Sequence, residues 1–181
     1  MIAQAHPAHH AAPPTPGVDA RRSVFTVQAA GALFGLPVDS VQTIFRLQAI
    51  TPVPLGPPVV AGLVNLRGKI VVAVSLETRL GLPPTGVRTS PLAVAVERRG
   101  ETFALLVDSV GDAIECEEQD RIPSPRHILE ERSQLAKAYY RTASGILPIL
   151  DIDALFDITA DQSPIRISIQ TPAGQKPGNQ P

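Results

Sequence analysis

The sequence predicts an all-β protein built from two small, related β units. Short runs rich in Val and Ile are separated by Gly and Pro at intervals typical of barrels and sandwiches. In addition, residues 34–41 recur as residues 103–110, 69 positions later, with Val-Asp-Ser-Val identical in both copies. Each copy predicts a strand, a polar Asp-Ser bend and the start of a further strand, because these short side chains can bond nearby backbone amides.

The predicted strands extend from residue 24 to residue 152. Ala30-Gly31 and Arg99-Gly100 are predicted turns, each joining two of these strands. In chain order the strands are residues 24–29, 33–38, 41–47, 69–76, 91–97, 102–107, 110–116 and 146–152.

A second, fainter repeat supports two related halves joined across a shared core. Residues 71–76 resemble residues 147–152 at an offset of 76, and each copy runs into a short helical segment, 77–80 or 153–156. Two matches in the same order make chance similarity the weaker interpretation. One longer helix is predicted over residues 125–139, where the apolar residues are Ile128, Leu129, Leu135 and Tyr139.

The two ends of the chain differ in composition from its middle. Residues 1–21 are mostly Ala, Pro and His, which predicts a disordered tail because such residues bury too little surface to offset their ordering entropy. Residues 161–181 are predicted to be a flexible tail as well, although the alternating isoleucines over 165–169 are also compatible with an edge strand. The folded domain is expected over 22–160, with halves of roughly 22–85 and 86–160 that exchange strands.

Charge and composition exclude several classes of protein. The net charge of −1 and the seven aromatic residues argue against a nucleic-acid binder, which needs clustered cations and stacking rings. Cys116 is the only cysteine, so neither an internal disulfide nor a cysteine-based zinc site is expected. No apolar run reaches the about 18 residues of a membrane helix, and no signal-peptide pattern opens the chain. We therefore expect a cytoplasmic protein.

Catalytic and metal-binding signatures are missing from the sequence. His127 is the only histidine outside the first tail, so it has no second histidine beside it for a zinc site and would carry a catalytic triad alone. The acidic residues between 115 and 120 predict a solvated loop or an acidic rim that faces a partner. We expect no enzyme activity, no metal and no cofactor.

Arg67 is the most conspicuous polar residue of the middle region. It follows the apolar run Gly62-Leu63-Val64-Asn65-Leu66 and precedes Gly68. A guanidinium there needs either a partner or an exposed position. Two interpretations remain open: an arginine that bonds loop carbonyls, and an arginine that recognises a binding partner.

This segment resembles the CheW family of chemotaxis coupling proteins. The resemblance is carried by residues 34–38, by Ile-Thr-Pro-Val-Pro at 50–54 and above all by 62–71, and it extends from about residue 24 to residue 156. It implies two five-stranded SH3-like barrels packed on each other, without catalytic activity. It also implies two partners, the cytoplasmic tip of a methyl-accepting chemoreceptor and the regulatory domain of the histidine kinase CheA, with the membrane reached only through the receptor.

The resemblance maps the receptor contact onto Val41, Gly62, Asn65 and Arg67, and it assigns no residue to the kinase contact. Three positions depart from the family pattern, and they put the charge pairing around Arg67 in doubt. Thr43 stands where an acid able to pair with Arg67 is frequent, Ser75 replaces an Asp, and Glu77 replaces an Arg.

Three alternatives to a flagellar chemotaxis adaptor remain open from the sequence. One is a CheW-like adaptor of another chemosensory pathway, such as type IV pili motility. A more remote one is a β-barrel that binds nucleic acid, and the third is an enzyme. A salt-sensitive gel shift would support the second alternative, and turnover abolished by His127→Ala would support the third.

Overall fold

The computed structural model describes residues 21–83, 92–125 and 134–158. The predictions for residues 1–20, for the edge strand at 165–169 and for His127 fall outside these ranges. The strands are β1 (Arg22–Ala29), β2 (Ala32–Pro37), β3 (Val41–Arg46), β4 (Val60–Leu66), β5 (Lys69–Ser75), β6 (Leu92–Arg98), β7 (Glu101–Val107), β8 (Ser109–Cys116), β9 (Arg121–Ile122), β10 (Ala136–Thr142) and β11 (Gly145–Leu150). The helices are α1 (Leu76–Arg79) and α2 (Ile152–Leu155), with 3-10 turns at Val38–Ser40 and Glu118–Asp120.

The strands form two sheets, which confirms the prediction of an all-β fold with few short helices. The first sheet has the order β8-β1-β2-β11-β10-β9, and the second has the order β3-β6-β7-β5-β4. Five strands of the first sheet match those of the second in pairing and direction, and the two-residue strand β9 adds a sixth at its edge. Each sheet combines strands from the early and the late part of the chain. The boundary near residue 85 stays a prediction, because residues 84–91 are not described.

The internal repeat corresponds to an equivalence in strand pairing. Val41 pairs with Val96 in the second sheet, and Val110 pairs with Val27 in the first. These partners are the same residues shifted by 69 positions, so each Asp-Ser bend carries the chain from one sheet to the other. At the second bend, Asp108 accepts a hydrogen bond of 2.7 Å from the backbone amide of Ala30. That bond ties the bend to the β1–β2 turn.

Three apolar clusters account for the core. One lies within each sheet: Val64, Ala73 and Leu106 are buried in the second sheet, and Ala138 and Ile149 are buried in the first. The largest cluster joins the two sheets and both helices. Its members are Val27, Ala29, Phe34, Leu36, Val74, Leu76, Leu80, Val94, Val96, Leu105, Val107, Leu135, Leu150, Ile152, Leu155 and Phe156. The shared core expected from the repeat is therefore present.

Each helix begins at a side-chain cap from the residue before it, and an arginine of α1 bonds the end of α2. The Ser75 hydroxyl accepts a hydrogen bond from Thr78 N–H at the start of α1, and the Asp151 carboxylate does the same for two amides of α2. The Arg79 guanidinium, at the end of α1, donates to the carbonyls of Ala154 and Leu155, at 2.8 Å each. Because a helix leaves its last carbonyls unpaired, this arginine fastens α2 to α1.

The fold corrects one sequence-based prediction and contains a strand that was not predicted. The helix over 125–139 is wrong at its end, because Ala136–Thr142 is strand β10, paired with β11. Leu135 and Tyr139 are four residues apart, as on one helix face, yet this spacing arises from a turn followed by a strand. The strand Val60–Leu66 was not predicted, because Gly62 and Asn65 interrupt its apolar pattern.

Candidate functional site

The candidate site is a groove of about 470 Å³ between β3 and β4. These strands are the two edges of the five-stranded sheet, so the sheet curls until its edges face each other across the groove. The groove is lined by Thr43, Ile44, Phe45, Arg46, Leu47, Gln48, Ala49, Asn65, Leu66 and Arg67. Two arginines and no carboxylate are among these residues, which gives the groove a positive charge over a partly apolar lining.

Arg67 occupies the first position of a tight turn between β4 and β5. Its φ is +51° and that of Gly68 is +89°, so both turn residues are left-handed, as the right-handed twist of the hairpin requires. The Asn65 side-chain oxygen accepts a hydrogen bond of 2.7 Å from Gly68 N–H. Asn65 therefore holds the turn that carries Arg67, and Arg67 is exposed.

Thr43, which stands where an acid is frequent in the family, lies in the same groove as Arg67. Thr43 carries no charge, and no acidic residue lines the groove. Arg67 makes no ion pair within the described part of the chain. Its five donors are therefore available to carboxylates or helix carbonyls of a partner.

The other two predicted contact residues lie outside the groove. Gly62 is buried in β4 with a φ of +149°, and Thr51 pairs with its neighbour Leu63. A Cβ on Gly62 would overlap the Thr51 carbonyl oxygen and lie 2.6 Å from Ile50 Cγ2. Val41 is half-buried and packs against the large shared core. Asn65 and Arg67 thus line one groove with Thr43, whereas Gly62 and Val41 are not among its lining residues.

Arg46 is the second cation of the groove, and it was not predicted as a site residue from the sequence. One signal was available: the 20 residues from 47 to 66 carry no charged side chain, and Arg46 and Arg67 stand at its two ends. Only the curling of the sheet brings these ends to one groove.

Ser75 and Glu77, the other departures, lie away from the groove. Ser75 caps α1, a role in which Ser and Asp are nearly equivalent. Glu77 is buried in the first turn of the same helix, with 8% of its surface exposed. The Ser75 departure is therefore conservative for the fold.

The lone cysteine and the acidic run show no catalytic arrangement. Burial raises the pKa of the Cys116 thiol, and the negative charge of Asp120 raises it further, although Arg22 acts in the opposite direction. A raised thiol pKa lowers the thiolate fraction at neutral pH, and the thiolate is the nucleophilic form of cysteine. Glu115 and Glu118 form ion pairs with Arg21 and Arg121.

The described residues contain no group of three or more His, Cys, Asp or Glu side chains placed to hold a metal ion. Over the same residues, no helix has the length and apolarity needed to cross a bilayer.

Comparison with known proteins decides the family. A family profile described as CheW-like domain matches residues 23–160. The chain belongs to the CheW family. The chemotaxis protein CheW of Bacillus subtilis is 24% identical over 135 residues, which cover 75% of this chain and 86% of that protein. The chemotaxis protein CheW of Treponema pallidum is 24% identical over 152 residues, covering 82% and 89%.

A solved structure supports the same assignment. The crystal structure of the scaffolding protein TtCheW from Thermoanaerobacter tengcongensis matches with a TM-score of 0.67 and 26% identity, over 75% of this chain and 92% of that chain. The prediction of SH3-like barrels and of a CheW-type chemotaxis adaptor is confirmed. The residue assignments Val41, Gly62, Asn65 and Arg67 stay predictions.

Proposed function

We propose that this CheW-family chain is a non-enzymatic, cytoplasmic adaptor that binds the helical tip of a chemoreceptor and the regulatory domain of CheA at separate surfaces. It reaches the membrane only through the receptor, and it binds neither nucleic acid nor a cofactor. The groove between β3 and β4 takes the receptor tip, with Arg67 as the direct contact. The observation that supports this assignment is the groove's composition, two arginines without a lining carboxylate.

The four carried-over residues contribute in different ways under this proposal. Arg67 meets carboxylates or the carbonyls at a helix C-terminus, both of which attract a cation. Asn65 positions Arg67 through its bond to Gly68 N–H. Gly62 admits the segment that passes over β4. Val41 supports the start of β3 by packing on the core.

The test is Arg67→Ala, compared with Arg99→Ala as a matched control. Arg99 and Gly100 form a second Arg-Gly turn with φ of +50° and +81°, close to the values at Arg67 and Gly68. The two variants therefore remove the same side chain from the same backbone geometry. Only Arg67 lies in the groove.

Affinities are measured by titrating the protein with a receptor hairpin fragment and with the CheA regulatory domain. Arg67→Ala is expected to lose about thirtyfold in receptor affinity, as truncation of an interface arginine by about 2 kcal/mol implies. Its kinase affinity and its melting temperature are expected to stay close to those of the unmodified protein. Arg99→Ala is expected to change neither the receptor affinity nor the kinase affinity. Unchanged receptor binding in a folded Arg67→Ala variant would refute the groove assignment. An unmodified protein that binds neither partner would refute the adaptor function itself.

A further inference from the structure

Leu55 combines two unfavourable features at one position. Its side chain is fully exposed, at 105% of the reference surface, and its backbone is left-handed with a φ of +60°. It lies in a turn closed by a 3.1 Å hydrogen bond from Gly56 N–H to the Val53 carbonyl, with Pro54 before it. The third residue of such a turn favours Gly or Asn, because a Cβ disfavours positive φ.

The segment around Leu55 is held rigidly on the second sheet. Residues 50–58, which we name the proline loop, contain four prolines. Thr51 and Leu63 exchange two backbone hydrogen bonds of 2.9 and 2.8 Å, and a second turn is closed by Val60 N–H on the Pro57 carbonyl at 2.9 Å. The exposed position of Leu55 is therefore built into the loop. Asn at the same position would remove both unfavourable features without changing the backbone.

The segment around Leu55 lacks charge, and the chain joins it directly to residues that line the groove. Residues 47–66 include no charged side chain, although most of the proline loop is exposed. Val53 adds a second exposed apolar side chain, at 39%. Depletion of charge is typical of the centre of protein interfaces, which a polar rim surrounds. Leu47 and Ala49 line the groove and directly precede the loop in the chain. Thr51 of the loop pairs with Leu63 of β4, the strand that leads to Arg67.

We propose that the proline loop is a second part of the receptor-binding surface, in which Leu55 enters an apolar pocket on the receptor's helical hairpin. This inference rests on the proposed function, because it takes the receptor tip as the occupant of the neighbouring groove. The occupant is the receptor because the uncharged segment 47–66 begins and ends at residues that line the Arg67 groove. The arginine then supplies the charged contact and Leu55 supplies the apolar anchor. Because the loop is already rigid, binding orders few additional residues.

The test uses Leu55→Asn with two companions. Leu55→Met keeps a long apolar side chain on the same backbone. Ala30→Asn is the matched control for backbone strain, because Ala30 also has a φ of +50° in a tight turn but lies in the β1–β2 hairpin of the other sheet. Asn relieves the left-handed strain at both positions, so both Asn variants are expected to melt at or above the temperature of the unmodified protein.

Titration with the receptor hairpin and the CheA regulatory domain then separates the outcomes. Leu55→Asn is expected to lose at least about tenfold in receptor affinity, the smallest loss that removal of one buried leucine side chain implies, with kinase affinity unchanged. Leu55→Met and Ala30→Asn keep both affinities. The inference is overturned if Leu55→Asn binds the receptor normally, if it weakens kinase binding instead, or if sedimentation shows that it abolishes a self-association of the unmodified protein. Failure of the unmodified protein to bind the receptor would overturn the proposed function as well.

Discussion

Gly62→Ala provides the sharpest test of how the proline loop is held on β4. A φ of +149° lies in a region that is essentially restricted to glycine, and placing another residue there costs about 1–3 kcal/mol. The new Cβ would also overlap the Thr51 carbonyl oxygen, and that oxygen cannot retreat without breaking the Thr51–Leu63 pair. Overpacking of this kind costs a further about 1–3 kcal/mol.

The expected loss is therefore about 4 kcal/mol in the free energy of unfolding. For a domain of this size it lowers the melting temperature by about 8–16 °C, measured by circular dichroism. Gly68→Ala is the control, because its φ of +89° brings strain but a Cβ there meets no atom within 4 Å. We expect the control to lose less than half as much. If Gly62→Ala melts at or above Gly68→Ala, the close approach of the loop to β4 is refuted.

Two further predictions concern the helices and are measured by urea unfolding. Arg79→Met removes the donors that bond the Ala154 and Leu155 carbonyls, and it should lower the free energy of unfolding by about 2–4 kcal/mol. Arg99→Met removes an exposed ion pair and should cost less than about 1 kcal/mol. Equal losses would contradict the role of Arg79 in fastening α2. Ser75→Ala should cost about 1 kcal/mol, and Ser75→Asp should be at least as stable as Ser, since Asp caps equally well and its charge suits a helix N-terminus. A Ser75→Asp variant as unstable as Ser75→Ala would show that the departure from the family pattern is not conservative.

The sequence predicted the repeated architecture because the repeat is carried by local segments. The two copies of Val-Asp-Ser-Val can be recognised from the sequence without tertiary information. They occupy equivalent positions in the strand pairing. The end of the predicted helix failed because strand pairing holds β10 on both sides, with β11 through a tight hairpin and with β9 from earlier in the chain. This pairing overrides the helical spacing of Leu135 and Tyr139.

The groove was predicted only in part, and a β-bulge explains why Val41 lies outside it while Thr43 lines it. Residues two apart on a strand share a face, so Val41 and Thr43 would be expected at one surface. The β3–β6 pairing shifts at Gln42, with Val41 opposite Val96 and Thr43 opposite Ala95. A bulge reorients the side chains that follow it. Val41 consequently packs on the core while Thr43 lines the groove.

The two halves are alike in backbone but differ in the residues that make the site. The β4–β5 and β10–β11 hairpins share their register, including a bulge before Gly62 in one and before Ala138 in the other. Ala138 carries a Cβ into the core cluster of the first sheet, whereas Gly62 must admit the proline loop. The position of Arg67 is taken by Ala143 in the second hairpin. Since neither the turn arginine nor the glycine contact recurs, the repeated fold presents the proposed receptor surface on one half and not on the other.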